Sequence, residues 1–519
     1  MWHVTKNDVY FCGVPHLFLL FRILKLLVNK LRGDLYMTNT YLNYIDGEWV
    51  SAQSGEVYSS ISPSNSSIVL GYFQNSDERD IEKAVEVAEN AFKTWSKVAA
   101  PERGEVLFKL INLLEEQKEE LASIITKEVG KTYKNSLGEV LKTVEAMKQF
   151  SGEATRLTGE TIPSYDPNIF GYTVKEPIGV VGVIAPYNFP LGIGIWKIAP
   201  AIIAGNTVIF KPASNTSLIS VKIVELFEKA GVPKGVINMV TGPGGVIGPA
   251  IGNHPKIKAV SFTGSTEVGL ALGRNVTNRG GKMQAEMGGK NASIILEDVD
   301  LDEVIKNVVI SGFFDNGQRC TGTSRLIVPR SISKNVISKL VESAQSLNIG
   351  DGFDDKSDNG PIIDENQMNL YLEHIKQAIE DGAVLECGGK RLTDEGRDKG
   401  FFVAPTVFSN VNREMRIFRE EIFAPVIAVI EVDSYEEALE VANDSEFGLS
   451  STIYTKDLAK AMHFVKHIET GVTHVNIPSN YFENQYPFGG KKASSLGPRE
   501  QGSTALDFWT EIKTVYIKA

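Results

Sequence analysis

The sequence predicts an α/β protein organised around a doubly wound, largely parallel nucleotide-binding sheet. Three observations carry that prediction. Between 178 and 262, short apolar runs alternate with helix-patterned segments, as they do when each crossover packs back onto a parallel sheet. The run from Ile178 to Ala185 is apolar throughout, the mark of a strand buried on both faces. Polar residues gather just after these runs, at Asn188, Lys211 and Gly264-Ser265, where open α/β sheets place their ligands.

Taken in order, the chain opens with a stretch unlike the rest. Residues 1–36 carry Leu17 to Phe21 and then Arg22, Lys25, Lys30 and Arg32 among leucines. That pattern suits a basic amphipathic helix on a membrane surface, or a poor signal peptide with no small-residue cleavage site. The favoured reading is that the fold begins at Met37 and that residues 1–36 stand outside it. Asp46-Gly47 then marks a hairpin turn. Ser76 is read as the cap of a helix whose Ile81, Val85, Ala88, Phe92 and Trp95 share one face, and a second helix from about Pro101 turns Val106, Leu110, Leu113 and Leu114 inward. Strands follow at Ile178–Ala185, Asn206–Lys211, Val236–Val240 and Ile257–Phe262, with a helix over Ser217–Ala230. Further strands are read at Ala292–Leu296 and in the tail after Phe508, the latter a candidate for pairing with another edge or with a partner subunit.

The chemistry gathers around Cys320. It lies between a Gly-Gln turn and small hydroxyl residues, next to Arg319, a setting expected to favour thiolate and to admit a substrate. Glu286 is a lone carboxylate among small and apolar neighbours, expected to have a raised pKa suited to a general base. The turn at Gly264-Ser265 follows a strand and opens a helix, so its free N–H groups suit a pyrophosphate. The segment Gly242 to Gly248 is one residue too long for a dinucleotide fingerprint and is weak evidence by itself. Composition excludes other classes. A formal charge of −11 over 519 residues argues against a nucleic-acid partner. Three cysteines, odd in number and far apart, point to a reducing compartment rather than a disulfide framework. Scattered histidines offer no metal site, and no run reaches the length of a membrane span.

Four blocks, in order, identify a resemblance: Pro186 to Pro190 with Lys211 to Ser214; Phe262 to Gly269; Glu286 to Lys290; and Gly317 to Cys320. From about Tyr41 to the end the chain resembles the aldehyde dehydrogenase superfamily. The resemblance implies a Rossmann-type cofactor domain (37–285), an α/β catalytic domain (286–495) and a small β oligomerisation arm near 158–178, with 496–519 returning to the cofactor domain and the arm. It implies NAD(P)-dependent oxidation of a small-molecule aldehyde by a cytoplasmic homodimer or homotetramer. Cys320 is implied as nucleophile, Asn188 with the Cys320 N–H as oxyanion hole, and Glu286 as the base for thioester hydrolysis. Lys211, Ser214, Gly264, Ser265, Glu421 and Phe423 are implied as cofactor residues, and Glu500 as an assisting acid.

Two positions depart from the family pattern. Ser214 stands where glutamate often repels a 2′-phosphate, which predicts that NADP is accepted and allows preference for it over NAD. Ala424 stands where glycine is usual. Gly152 to Arg156, Thr161 to Ser164 and Gly497 to Gly502 resemble the 2-oxoglutarate semialdehyde (2,5-dioxopentanoate) branch, whose substrate ends in a carboxylate. Arg156 is the candidate cation for it, set against a plain helix-surface arginine. Succinate-semialdehyde, lactaldehyde and non-phosphorylating glyceraldehyde-3-phosphate enzymes are the alternatives within the family. A catalytically silent binding protein is the alternative outside it, and a membrane-attached enzyme using residues 1–36 is a third.

Overall fold

The computed structural model describes residues 39–518; the expectations for residues 1–36 fall outside that range. Two large sheets dominate. In the first, Val180–Ile184 is central, with Thr207–Lys211 and then Ile237–Met239 parallel on one side, and Ile257–Thr263 and then Lys282–Glu286 parallel on the other. The chain winds outward one way and then returns to wind the other way. The gap between Val180–Ile184 and Ile257–Thr263 is therefore the topological switch point, where crossovers leave opposite faces and a crevice opens. The predicted Asp46-Gly47 hairpin (Asn43–Ile45 with Glu48–Val50) continues this sheet at one edge, and the short strand Ser495–Leu496 closes it at the other, against Ala285 and Glu286.

Both faces of this sheet are covered, which is why its central strand Val180–Ile184 is apolar throughout. Val181, Val183, Val208 and Phe210 join a core under the helices Ala100–Glu116, Tyr133–Glu153, Pro190–Ile203 and Ser217–Ala230. Their neighbours Val180, Ile184, Ile209 and Val260 join another on the opposite face, as period-two side chains must. The helix Glu78–Trp95 buries Ile81, Val85, Ala88 and Trp95, but Asp77 caps it rather than Ser76. The Asp77 carboxylate accepts from the Arg79 N–H, and Asp80 reaches back to the Asp77 N–H at 3.1 Å. Ser76 is diverted: its hydroxyl accepts from Asn43 Nδ2 at 2.8 Å. A long-range partner won over the local cap.

The second sheet runs Val384–Cys387, Thr406–Ser409, Val426–Val432, Thr323–Pro329, Asn291–Ile295, Ser450–Tyr454, Val472–Val475, parallel except at its first edge. The tail strand Thr510–Lys518 pairs antiparallel with Ile169–Pro177 of the same chain along its whole length, and Thr161–Ile162 lies on the far side of Ile169–Pro177. The tail thus finds its first edge within its own chain. Among the described residues its other edge carries no strand, and Ile512, Tyr516 and Ile517 beside it are exposed.

Candidate active site

A cleft of about 470 Å³ opens at the switch point. Ile184 and Ala185 line it from the central strand, Lys211 and Ala213 from the next, and Phe262, Thr263, Gly264 and Ser265 from the turn into the helix Thr266–Asn278. Ser265 occupies the cap position of that helix without a side-chain capping bond, so first-turn N–H groups stay available to an anion. The segment with the imperfect fingerprint is here too. Gly244, Gly245 and Gly248 line the cleft, with no heavy atom within 4 Å of where a side chain would begin. Lys211 is buried; its Nζ donates to the Pro212 carbonyl at 2.7 Å, and burial pulls its pKa down to about 8. Ser214 opens a short 3-10 turn just past Ala213, and its hydroxyl donates to Gly242 O at 3.1 Å. An apolar floor, an open backbone face, free N–H groups and one buried cation suit a dinucleotide.

Cys320 ends a turn of unusual backbone. Asp315, Asn316 and Gly317 are consecutive left-handed residues, at φ 52°, 55° and 63°. A Cβ on Gly317 would lie 2.3 Å from the Ala424 carbonyl oxygen, so only glycine fits. The strain in the two side-chain-bearing residues needs support from outside the turn. Asn316 Nδ2 donates to the carbonyls of Gly360 and Pro361 at 2.7 Å each, and Asn359 Nδ2 to that of Phe313 at 2.8 Å. Beyond the cysteine, Asn291 Nδ2 holds the carbonyls of Cys320 and Gly322 at 2.7 and 2.9 Å. Asn188, buried in the loop after the central strand, donates from Nδ2 to the Gln318 carbonyl at 2.9 Å. The Asn188 loop and the Cys320 turn are thereby joined.

The thiol is not poised as thiolate, contrary to expectation. Burial raises the Cys320 pKa to about 12, with the Glu421 and Glu286 carboxylates adding to the rise. Arg319, expected to stabilise the anion, is turned to the buried Asp315, which its Nε meets at 2.7 Å.

Glu286 ends the strand Lys282–Glu286 and is buried. Its Oε2 accepts from Ser495 Oγ at 2.6 Å, while Oε1 has no hydrogen-bond partner among the described residues. A Cβ on Gly489 would lie 2.5 Å from that Oε1; glycine there leaves the oxygen room. Burial, then Glu500, raise the Glu286 pKa to about 8. Glu500 is itself buried, ion-paired with Lys197, and accepts from Trp196 Nε1 at 3.0 Å. Glu421 accepts from the Gly289 N–H at 2.9 Å, and burial lifts its pKa to about 7. Phe423 has φ 53° and meets Tyr187 edge-on at 6.0 Å.

The structure gathers these predicted residues around two neighbouring places, with one exception. Arg156 lies past the end of the helix Tyr133–Glu153 with 65% of its side chain exposed, and pairs with Glu153 at 3.3 Å. Its geometry is that of the surface arginine. Sequence reasoning missed Lys197, Ser495, Asn291 and Asp315. Lys197 had a visible signal, as the lone charge in the apolar helix Pro190–Ile203. Ser495 had none. Among the described residues no group of three His, Cys, Asp or Glu side chains could hold a metal.

The architecture is that of a two-sheet α/β oxidoreductase, with a dinucleotide-type cleft beside a half-buried cysteine and a buried carboxylate. Comparison with known proteins names the group. A model of the aldehyde dehydrogenase family matches residues 49–515. The alpha-ketoglutaric semialdehyde dehydrogenase of Bacillus subtilis (strain 168) is 44% identical over 480 residues, 92% of this chain and 98% of that relative. The 2,5-dioxopentanoate dehydrogenase of Saccharolobus solfataricus is 40% identical over 472 residues, covering 90% and 98%. A crystal structure of betaine aldehyde dehydrogenase from Staphylococcus aureus in complex with NAD+ superposes with a TM-score of 0.90 at 33% identity, covering 92% of this chain and 95% of that one. The chain belongs to the aldehyde dehydrogenase family and is an NAD(P)-dependent oxidoreductase acting on aldehydes.

Proposed function

We propose that the protein oxidises a semialdehyde bearing a carboxylate, with 2-oxoglutarate semialdehyde as the leading substrate, through a thioester on Cys320. The observation that carries the mechanism is the buried Glu286 carboxyl, with one oxygen unpartnered and close enough to Cys320 to raise its pKa. Cys320 Sγ attacks the aldehyde carbon, and the thiol proton passes to solvent. The Asn188 amide and the Cys320 N–H steady the resulting oxyanion. The dinucleotide, when bound, supplies the hydride acceptor; Lys211, Ser214, Gly264, Ser265, Glu421 and Phe423 are the residues that would hold it. Glu286 then takes a proton from water, which cleaves the thioester and releases the acid. Glu500 with Lys197 sets the charge around Glu286.

A base with a pKa near 8 is mostly protonated at pH 7, so the hydrolytic step gains rate as pH rises through about 8. Serine at 214 lacks the charge that would repel a 2′-phosphate, so NADP is accepted alongside NAD. The 2-oxoglutarate semialdehyde branch is favoured by the two relatives' names and their near-complete coverage. Its carboxylate requires a cation, and with Arg156 on the surface the candidate becomes Arg319, adjacent to Cys320 and 23% exposed. A homodimer or homotetramer is favoured by the strandless edge of Thr510–Lys518 and its exposed Ile512 and Tyr516. The few, scattered cysteines favour the cytoplasm; among the described residues no helix is long and apolar enough to cross a membrane. Absorbance at 340 nm with a panel of aldehydes and both dinucleotides tests the reading. Highest kcat/KM on a neutral aldehyde, or no turnover with NADP, contradicts it.

A further inference from the structure

The turn that carries Cys320 holds a charge pair, Arg319 with Asp315, whose acidic member no step above uses. Asp315 is buried with 2% of its side chain accessible. Burial alone would raise its pKa, yet Arg319, Lys131 and its hydrogen bonds hold it below the ordinary carboxylate value, so it is ionised at neutral pH. Its two oxygens are divided between partners. Oδ1 accepts from Asn135 Nδ2 at 2.8 Å, in the first turn of the helix Tyr133–Glu153. Oδ2 takes Nε of Arg319 at 2.7 Å and Nη2 at 2.5 Å. One edge of the guanidinium fork is thereby fixed. Nη1 on the other edge has no partner among the described residues. The guanidinium lies 5.4 Å from the centroid of the Phe189 ring, and Phe189 follows Asn188 as Arg319 precedes Cys320. The guanidinium therefore packs against the loop that carries Asn188, on the residue next to the reacting cysteine.

We propose that Asp315 sets the preference for negatively charged aldehydes, by sharing the Arg319 guanidinium with the carboxylate of the substrate. This rests on the reading of Arg319 as the substrate cation. A guanidinium already bound to one carboxylate offers a second one an oriented edge but a reduced charge. Lys131, the other cation acting on Asp315, is held by Glu139 at 2.8 Å and is not available to substitute. Asp315 is a positioning residue in this scheme: it acts through Arg319 and never meets the substrate.

The measurement is the ratio of kcat/KM for succinate semialdehyde to that for butanal, in the full chain with saturating dinucleotide. Arg319→Met tests the underlying reading and brings the ratio down towards one. Asp315→Asn tests the inference. Asparagine tolerates the left-handed φ at this position and keeps one acceptor, so the turn holds while the compensating charge is lost. The ratio then rises about tenfold, which corresponds to about 1.4 kcal/mol. Combined with Arg319→Met, the same substitution leaves the ratio unmoved, an outcome a merely structural role for Asp315 would not produce. Should Asp315→Asn melt early, Asp315→Gly, which the positive φ also suits, carries the test in the same direction. If Arg319→Met keeps the wild-type ratio, the reading of Arg319 is wrong and the inference goes with it. If Arg319→Met collapses the ratio but neither Asp315 variant raises it, the inference alone is overturned.

Discussion

The dinucleotide cleft and the Cys320 turn are built on opposite principles. The cleft is made of backbone: a helix opening at Ser265, glycines at 244, 245 and 248, and the ends of two parallel strands. One buried lysine supplies its charge. The Cys320 turn is made of side chains from distant segments. Asn135, Asn188, Asn291 and Asn359 each hold a backbone or side-chain group in or next to it, from 29 to 180 residues away in sequence. Buried Glu286, Glu500 and Lys197 form an adjoining charged cluster. A surface made of backbone tolerates side-chain changes that leave the glycines alone. A strained turn held by side chains fails when one partner is removed.

The largest expected effect tests which region carries the chemistry. Cys320→Ala abolishes aldehyde oxidation, with kcat/KM down at least about 10³-fold, while dinucleotide binding measured by fluorescence quenching persists. Lys197→Met comes next. It strands the buried Glu500 carboxylate, so a loss of about 3–5 kcal/mol in stability is expected, read as a lowered midpoint in urea unfolding. Ser214→Glu is the cleft-side counterpart and is milder: on the proposed placement of Ser214 by the 2′ position, one added charge lowers the NADP to NAD preference about tenfold, with melting unchanged. A Ser214→Glu variant that unfolds, or a Lys197→Met variant that does not, would erase the contrast between the two regions.

The same contrast explains what could be read in the sequence. The doubly wound sheet was legible because its central strand is apolar along its whole length and its ligand loops follow the strands directly. Cys320, Glu286 and Asn188 stand out in the sequence because each sits in a short local motif, and their roles belong to the proposed mechanism. The thiol's protonation was misread from its neighbour: Arg319 adjoins Cys320 in sequence but spends its charge on Asp315, a contact that only the left-handed turn creates. Ser495 reaches Glu286 across 209 residues, and no local pattern announces it. The Ser76 cap failed for the same reason, since Asn43 claimed the hydroxyl from another strand. Charge and motif favour Arg156 in the sequence, and nothing in its own segment reveals that it faces solvent.

The central claim is that Cys320 carries the acyl group and Glu286 releases it. Glu286→Gln separates the two steps, because it keeps the shape and the Ser495 hydrogen bond but removes the base. Mixing this variant with a semialdehyde and dinucleotide should give one rapid equivalent of reduced cofactor, followed by turnover slowed by about 10²–10⁴-fold. Mass spectrometry of the quenched protein should then find the acyl mass on the peptide containing Cys320. A peptide without that mass despite the burst, or an adduct on Cys387 instead, would contradict the account.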